Sequence, residues 1–157
     1  GLYSEEYLYG EGRKIIDQYT TSSICMFRIT NLEEINKNYS RELGNEVITE
    51  VSQKVQENIS DTYVFVRYMG PKFVIAFSGV DTDSVADFLN DLKNSIEEMD
   101  ISLRDENGDI IEGQTTKVTL NIALSTYYKG TGLEEILKKL EEYLDNADKN
   151  ESDITNI

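Results

Sequence analysis

The stretch RYMGPKFVIAF, residues 67–77, decides the fold. Arg67 and Tyr68 close one extended run, TYVFVRY at 62–68, and Phe73 to Phe77 make a second, FVIAF. Both runs are rich in β-branched and aromatic residues, which suit a pleated, half-buried surface. Between them lie Met69, Gly70, Pro71 and Lys72. Glycine reaches backbone angles closed to other residues, and proline fixes its own φ, so this tetrad predicts a turn. The three pieces together read as a β-hairpin.

Upstream, SICMFRI at 23–29 is a short apolar run broken by one charge, Arg28, and predicts a buried strand. Residues 5–19 carry Tyr7, Leu8, Ile15 and Ile16 among charges and read as a helix interrupted by Gly10 and Gly12. After the first strand, Thr30 and Asn31 are capping types, with Glu33 and Glu34 in the first turn that follows. Leu32, Ile35 and Tyr39 share one face of that helix. Beyond Gly44, the apolar residues Val47, Ile48, Val51 and Val55 repeat at helical spacing over 45–58. Downstream of the hairpin, residues 82–99 place Val85, Phe88, Leu89, Leu92 and Ile96 on one helical face. DENGD at 105–109 is a turn before Ile110 and Ile111, KVTLNIAL at 117–124 is a strand, and 132–147 is a closing helix. The core order is βααββαβ: an α+β fold on a mostly antiparallel central sheet with flanking helices. Residues 1–157 read as one domain, with a polar, frayed tail over 149–157.

Composition limits the function. Thirty acidic residues against 15 basic ones give a formal net charge of -15, which repels a polyanion and argues against a nucleic-acid surface. Histidine is absent, and the one cysteine, Cys25, lies in an apolar run, so no disulfide framework or cysteine-based metal site forms within the chain. A lone buried cysteine suits a reducing compartment. No apolar run is long enough to span a bilayer, and no signal-peptide pattern is seen. The first residues, Gly1, Leu2 and Tyr3, include no methionine, and the expectation is a segment of a longer protein.

Several segments, in order, resemble the GGDEF family, the bacterial diguanylate cyclases. In the hairpin, Arg67, Tyr68, Gly70 and Phe73 match the Arg-Tyr pair and Gly-Gly-Asp-Glu-Phe turn, while Met69, Pro71 and Lys72 depart. GLYSEEYL at the start resembles the family's Gly-Leu-x-Asn-Arg opening, with Ser4 and Glu5 replacing Asn-Arg. RITNLEEINKNYSRELGN at 28–45 keeps Ile29, Ile35, Asn36, Tyr39 and Gly44 of the family's long motif, and VTLNIAL at 118–124 resembles its late strand. The resemblance implies a nucleotidyl-cyclase-like fold. In that family two facing domains each hold a GTP, and magnesium assists attack of each 3′-hydroxyl on the other's α-phosphate to make cyclic di-GMP.

The resemblance also implies a changed site. One family metal carboxylate falls on Arg28 and the other on Lys72. Both side chains are donors with no acceptor, so magnesium binding in the family manner is not expected, and no other cofactor is implied. Two anions become two cations, a change of about four formal charges. Thr30 stands for a second aspartate and Pro71 for the turn aspartate, removing an N–H as well as a charge. Met69 replaces a glycine that allows close nucleotide approach. Asn36 matches the base-reading asparagine, while its partner aspartate becomes Asn45, which offers one amide oxygen together with a donor. A late phosphate-binding lysine falls on Asp148, and the product-inhibition Arg-x-x-Asp motif falls on Ser60 and Tyr63.

Each of these residues also has a plainer reading. Arg28 either binds an anion or caps the strand end against Glu33 or Glu34, and Lys72 is either an anion contact or a solvated turn residue. Asn36 could serve only helix hydrogen bonds, Gly44 a turn before the next helix, and Phe65, Phe73 and Phe77 the core. DENGD lacks the ligand spacing of a calcium loop. The expectation is a catalytically inactive regulatory or protein-interaction domain in bacterial cyclic di-GMP signalling. Its setting would be cytoplasmic, alone or as part of a membrane-attached protein. Its partner would be a protein, a neighbouring domain or a second copy, with no nucleic acid and no membrane insertion by this segment. The alternative is metal-independent binding of GTP or a related guanine nucleotide through Arg28, Asn36, Asn45, Gly70 and Lys72; residual cyclase activity ranks below both.

Overall fold

A computed structural model describes residues 2–147 and 154–157. A five-stranded sheet has the order β2-β3-β1-β6-β7, built from β1 (Thr21–Ile29), β2 (Val64–Arg67), β3 (Lys72–Phe77), β6 (Leu120–Tyr128) and β7 (Ile154–Asn156). β1 is central and pairs antiparallel with both β3 and β6. β7 joins β6 in parallel. A separate two-stranded ladder is formed by β4 (Ile101–Arg104) and β5 (Ile110–Thr116) around the DENGD turn. The helices are α1 (Glu5–Tyr7), a π-helical turn Leu8–Gly12, α2 (Arg13–Ile16), α3 (Leu32–Asn38), α4 (Arg41–Asn58), α5 (Thr82–Glu98) and α6 (Leu133–Asn146). The expected βααββαβ core is present as β1, α3, α4, β2, β3, α5 and β6.

Both faces of the sheet are covered, which explains why β1 is apolar almost throughout. Side chains alternate across a strand. Cys25, Phe27 and Ile29 therefore join the cluster that includes Val47, Val51 and Val55 of α4 and Leu89, Leu92 and Ile96 of α5. Ile24 and Met26 join the opposite cluster, with Leu133, Leu137, Leu140 and Leu144 of α6 and Leu8 and Ile16 of the N-terminal helices. Phe27 and Phe73 stack at 5.0 Å between ring centres, and Phe65 packs against both. The three phenylalanines pin the hairpin's register on β1.

Several boundaries differ from the sequence expectation, each for a local reason. The first helical segment stops at Ile16 and contains the π turn around Gly10 and Gly12 instead of a break. Asn31 does not cap α3; its amide donates to the Lys117 carbonyl and its oxygen accepts from the Thr119 N–H. Ser40 caps α4 by accepting from the Leu43 N–H, so Gly44 lies inside that helix and not in a turn before it. Ile101–Arg104 is an extra strand, legible only through its pairing. The tail expected to fray includes β7: the Ile157 N–H donates to the Leu124 carbonyl at 2.8 Å, and Tyr143 and Thr155 hydroxyls meet at 2.8 Å. Those backbone bonds offset the strand's weak apolar character. Residues 149–153 of that expected tail lie outside the described residues.

Leu137 is fully buried between α6 and the sheet. Leu137→Ala removes its apolar contacts and leaves a cavity, so unfolding free energy in urea should fall by about 2–5 kcal/mol.

Candidate functional site

The β2–β3 turn brings the sequence-predicted residues to one end of the sheet. Gly70 adopts a φ of 55°, the left-handed region its neighbours avoid. The turn is closed by the Lys72 N–H donating to the Met69 carbonyl at 3.1 Å and the Tyr68 N–H donating to the Lys72 carbonyl at 3.0 Å. Arg67 Nε donates to the Gly70 carbonyl at 3.3 Å. Pro71 lacks an N–H, but its carbonyl accepts from the Ile29 N–H at 3.0 Å, tying the turn to the end of β1.

Asn36, Asn45 and Gly70 line one cleft of about 350 Å³, together with Arg41, Gly44, Arg67 and Pro71. That volume lies in the range of small-molecule sites. Asn36 owes its position to Gly44: a β-carbon there would lie 1.8 Å from the Asn36 Oδ1. Gly44 is thus an approach residue, a role its sequence position did not reveal. Arg41 and Arg67 supply two guanidinium groups to the cleft. Sequence reading gave neither a site role, because one sits at a helix start and the other in a match to the hairpin pattern.

Arg28 and Lys72 are not in that cleft. They face each other across β1 and β3, and Arg28 also faces Asn121 across β1 and β6. Side chains at paired positions share a face. Arg28 Nη2 donates to Asn121 Oδ1 at 2.8 Å, while its buried Nε has no partner. This replaces the expected pairing of Arg28 with Glu33 or Glu34. Lys72 is the first residue of β3 and not a solvated turn residue: its side chain is 13% exposed, and its Nζ lies 3.2 Å from Glu141 Oε2 and 2.8 Å from Asp145 Oδ1, both on α6. Burial pulls the Lys72 pKa down, but the bonds to Asp145 and Glu141 more than offset this and leave it raised.

Thr30 is buried, its hydroxyl meeting the Thr119 hydroxyl and its N–H donating to the Thr119 carbonyl at 2.8 Å. Ser60 is used locally, its hydroxyl lying 2.8 Å from that of Thr62, and Tyr63 packs edge-on against Phe77 at 5.1 Å. Asp148 lies outside the described residues. Among the described residues, no group of three or more histidine, cysteine or acidic side chains is placed to hold a metal ion. No helix among them is long and apolar enough to cross a membrane.

Two outcomes follow from this geometry. Gly44→Ala should leave stability unchanged or raise it by up to about 1 kcal/mol through helix propensity, while forcing the Asn36 amide out of the cleft. Thermal melting checks the first part, and the Asn36 side-chain amide signals in an NMR spectrum the second. Lys72→Met should cost about 1 kcal/mol at neutral pH. Because the folded-state pKa of Lys72 is raised, its contribution is complete below the ordinary lysine value and is lost as pH climbs through the raised one. The melting difference between wild type and Lys72→Met should therefore narrow above about pH 10.

Comparison with known proteins agrees with the architecture. The GGDEF structure of FimX from Pseudomonas aeruginosa superposes with a TM-score of 0.81 at 13% identity, over 100% of this chain and 95% of that one. The GGDEF domain of DgcB from Caulobacter crescentus, solved with c-di-GMP, gives 0.82 at 14% identity, over 99% and 91%. The diguanylate cyclase SiaD of Pseudomonas aeruginosa, solved with its activator SiaC, gives 0.83 at 12% identity over 99% of this chain, which spans 59% of SiaD's. No protein of curated function matches in sequence. The diguanylate cyclase GGDEF domain family matches residues 2–153, and the chain belongs to that family.

Proposed function

We propose that the chain is a catalytically inactive GGDEF domain, acting as a regulatory or protein-interaction module in bacterial cyclic di-GMP signalling. Its place would be the cytoplasmic part of a longer signalling protein, with residues 1–157 as one domain. One observation carries the reading: Arg28 and Lys72, at the two positions where the family places metal carboxylates, oppose each other across β1 and β3. A guanidinium and an ammonium donate hydrogen bonds and accept none, so the pair does not fit magnesium. Lys72 is further committed to Glu141 and Asp145, and Arg28 to Asn121. Nothing at this end of the sheet then draws a hard cation to bridge two nucleotides. SiaD was solved with an activator protein, an example of partner binding by a cyclase of this fold.

A second reading is metal-independent guanine-nucleotide binding, and the cleft favours it. Asn36 and Asn45 offer amides for a base edge, and Arg41 and Arg67 offer charge-assisted bonds for phosphate oxygens. In this reading Arg41 and Arg67 replace Arg28 and Lys72 as the phosphate contacts, because Lys72 is already neutralised by two carboxylates.

Purified chain incubated with GTP and Mg²⁺ or Mn²⁺ should yield no cyclic di-GMP by chromatography. Product that disappears on Asn36→Ala would overturn the inactive reading. Calorimetry with GTP in EDTA tests the second reading: binding there, weakened about tenfold by Arg67→Ala, supports it, and no heat at millimolar GTP rejects it.

A further inference from the structure

The cations Arg28 and Lys72 lie side by side on the sheet face that α6 covers. Two cations at adjacent strand ends are costly in a half-buried place unless anions answer them. The answer comes from the chain itself. Glu141 and Asp145, one helical turn apart on α6, both reach Lys72 Nζ, at 3.2 and 2.8 Å. They stand toward it as two oxygens of an oxyanion would. A separate observation shows unused binding capacity beside them: Arg28 Nε is buried and has no partner, although Nη2 of the same guanidinium is engaged by Asn121.

We propose that this is an anion site closed by an intramolecular ligand, with the C-terminal half of α6 acting as the lock. The ligand class is a compact multivalent oxyanion, such as a phosphate or diphosphate group, whose oxygens replace the Glu141 and Asp145 carboxylates on Lys72 and satisfy Arg28 Nε. In the closed state an external anion competes with carboxylates held in place by the fold. Tethered groups act at effective concentrations of about millimolar or more, so dilute anions do not enter. Opening requires the last turns of α6 to move, and that helix is tied to the sheet through the Tyr143–Thr155 contact with β7. The site is therefore gated by the position of α6 and β7, not by the anion alone.

This inference rests on the reading that Arg28 and Lys72 have left metal chemistry. Its test is calorimetry of the whole chain with inorganic pyrophosphate in EDTA. The isosteric double variant Glu141→Gln/Asp145→Asn should bind at least about tenfold tighter than wild type. Adding Lys72→Met should abolish the gain. No gain in the double variant, or a gain that survives Lys72→Met, overturns the lock. A gain that appears only when Mg²⁺ is supplied counts instead against the reading that metal chemistry is lost. Circular dichroism verifies that α6 is intact. If the double variant does not fold, Asp145→Asn alone keeps the Glu141 pair: a smaller gain sustains the proposal, and none overturns it.

Discussion

The structure depends on burying β1 on both faces. A strand packed on two sides has no solvent face on which to place a charge, so every residue from Ser22 to Phe27 is buried and the first charge comes at Arg28, near the strand end. Strand alternation then assigns that charge to the α6 side, since Phe27 and Ile29 belong to the other side. Pairing does the rest. The same register that stacks Phe27 on Phe73 sets Arg28 opposite Lys72 and Asn121. The charged group at the sheet end is thus a consequence of core packing. Its position cannot shift by one residue without turning the whole of β1 inside out.

Around that constraint the chain accommodates polar groups by pairing them. Lys93 on α5 is 4% exposed, yet it bonds Glu97 at 2.8 Å, and the second oxygen of Glu97 accepts the Leu120 N–H at 2.8 Å. Arg13 pairs with Glu134 at 2.5 Å and Tyr127 donates to Asp17 at 2.8 Å, fastening the N-terminal helices to α6 and β6. Burial and the Asp17 hydrogen bond raise the Tyr127 pKa to about 12, which keeps the phenol a donor. Each ion pair or hydrogen bond joins elements that the hydrophobic clusters have already brought together. They specify geometry more than they supply stability.

Much of this was legible in the sequence because it follows from periodicity. The apolar repeat of Val47, Val51 and Val55 and the alternation in β1 are local signals, and they give the βααββαβ order. The family pattern adds the placement of Asn36 and Asn45 near the turn. What sequence could not give are relations between distant residues. Lys72 looks like an exposed turn lysine until α6, about 70 positions later, brings up Glu141 and Asp145. Gly44 looks like a turn glycine until Asn36 is seen to occupy the space of its missing side chain. β7 looks like polar tail because its strength lies in backbone bonds to β6, which composition does not display.

The isolated bridge at the start of the chain bears on another property. A five-stranded open sheet has two margins where unpaired N–H and C=O groups invite another molecule. Along β2, Tyr3 pairs with Val66 and the Arg67 N–H donates to the Tyr3 carbonyl at 2.9 Å. At the opposite margin, β7 is only three residues long. Covered and shortened edges are poor templates for strand addition. With a formal charge of -15 on every copy, edge-to-edge aggregation is opposed both by geometry and by mutual repulsion.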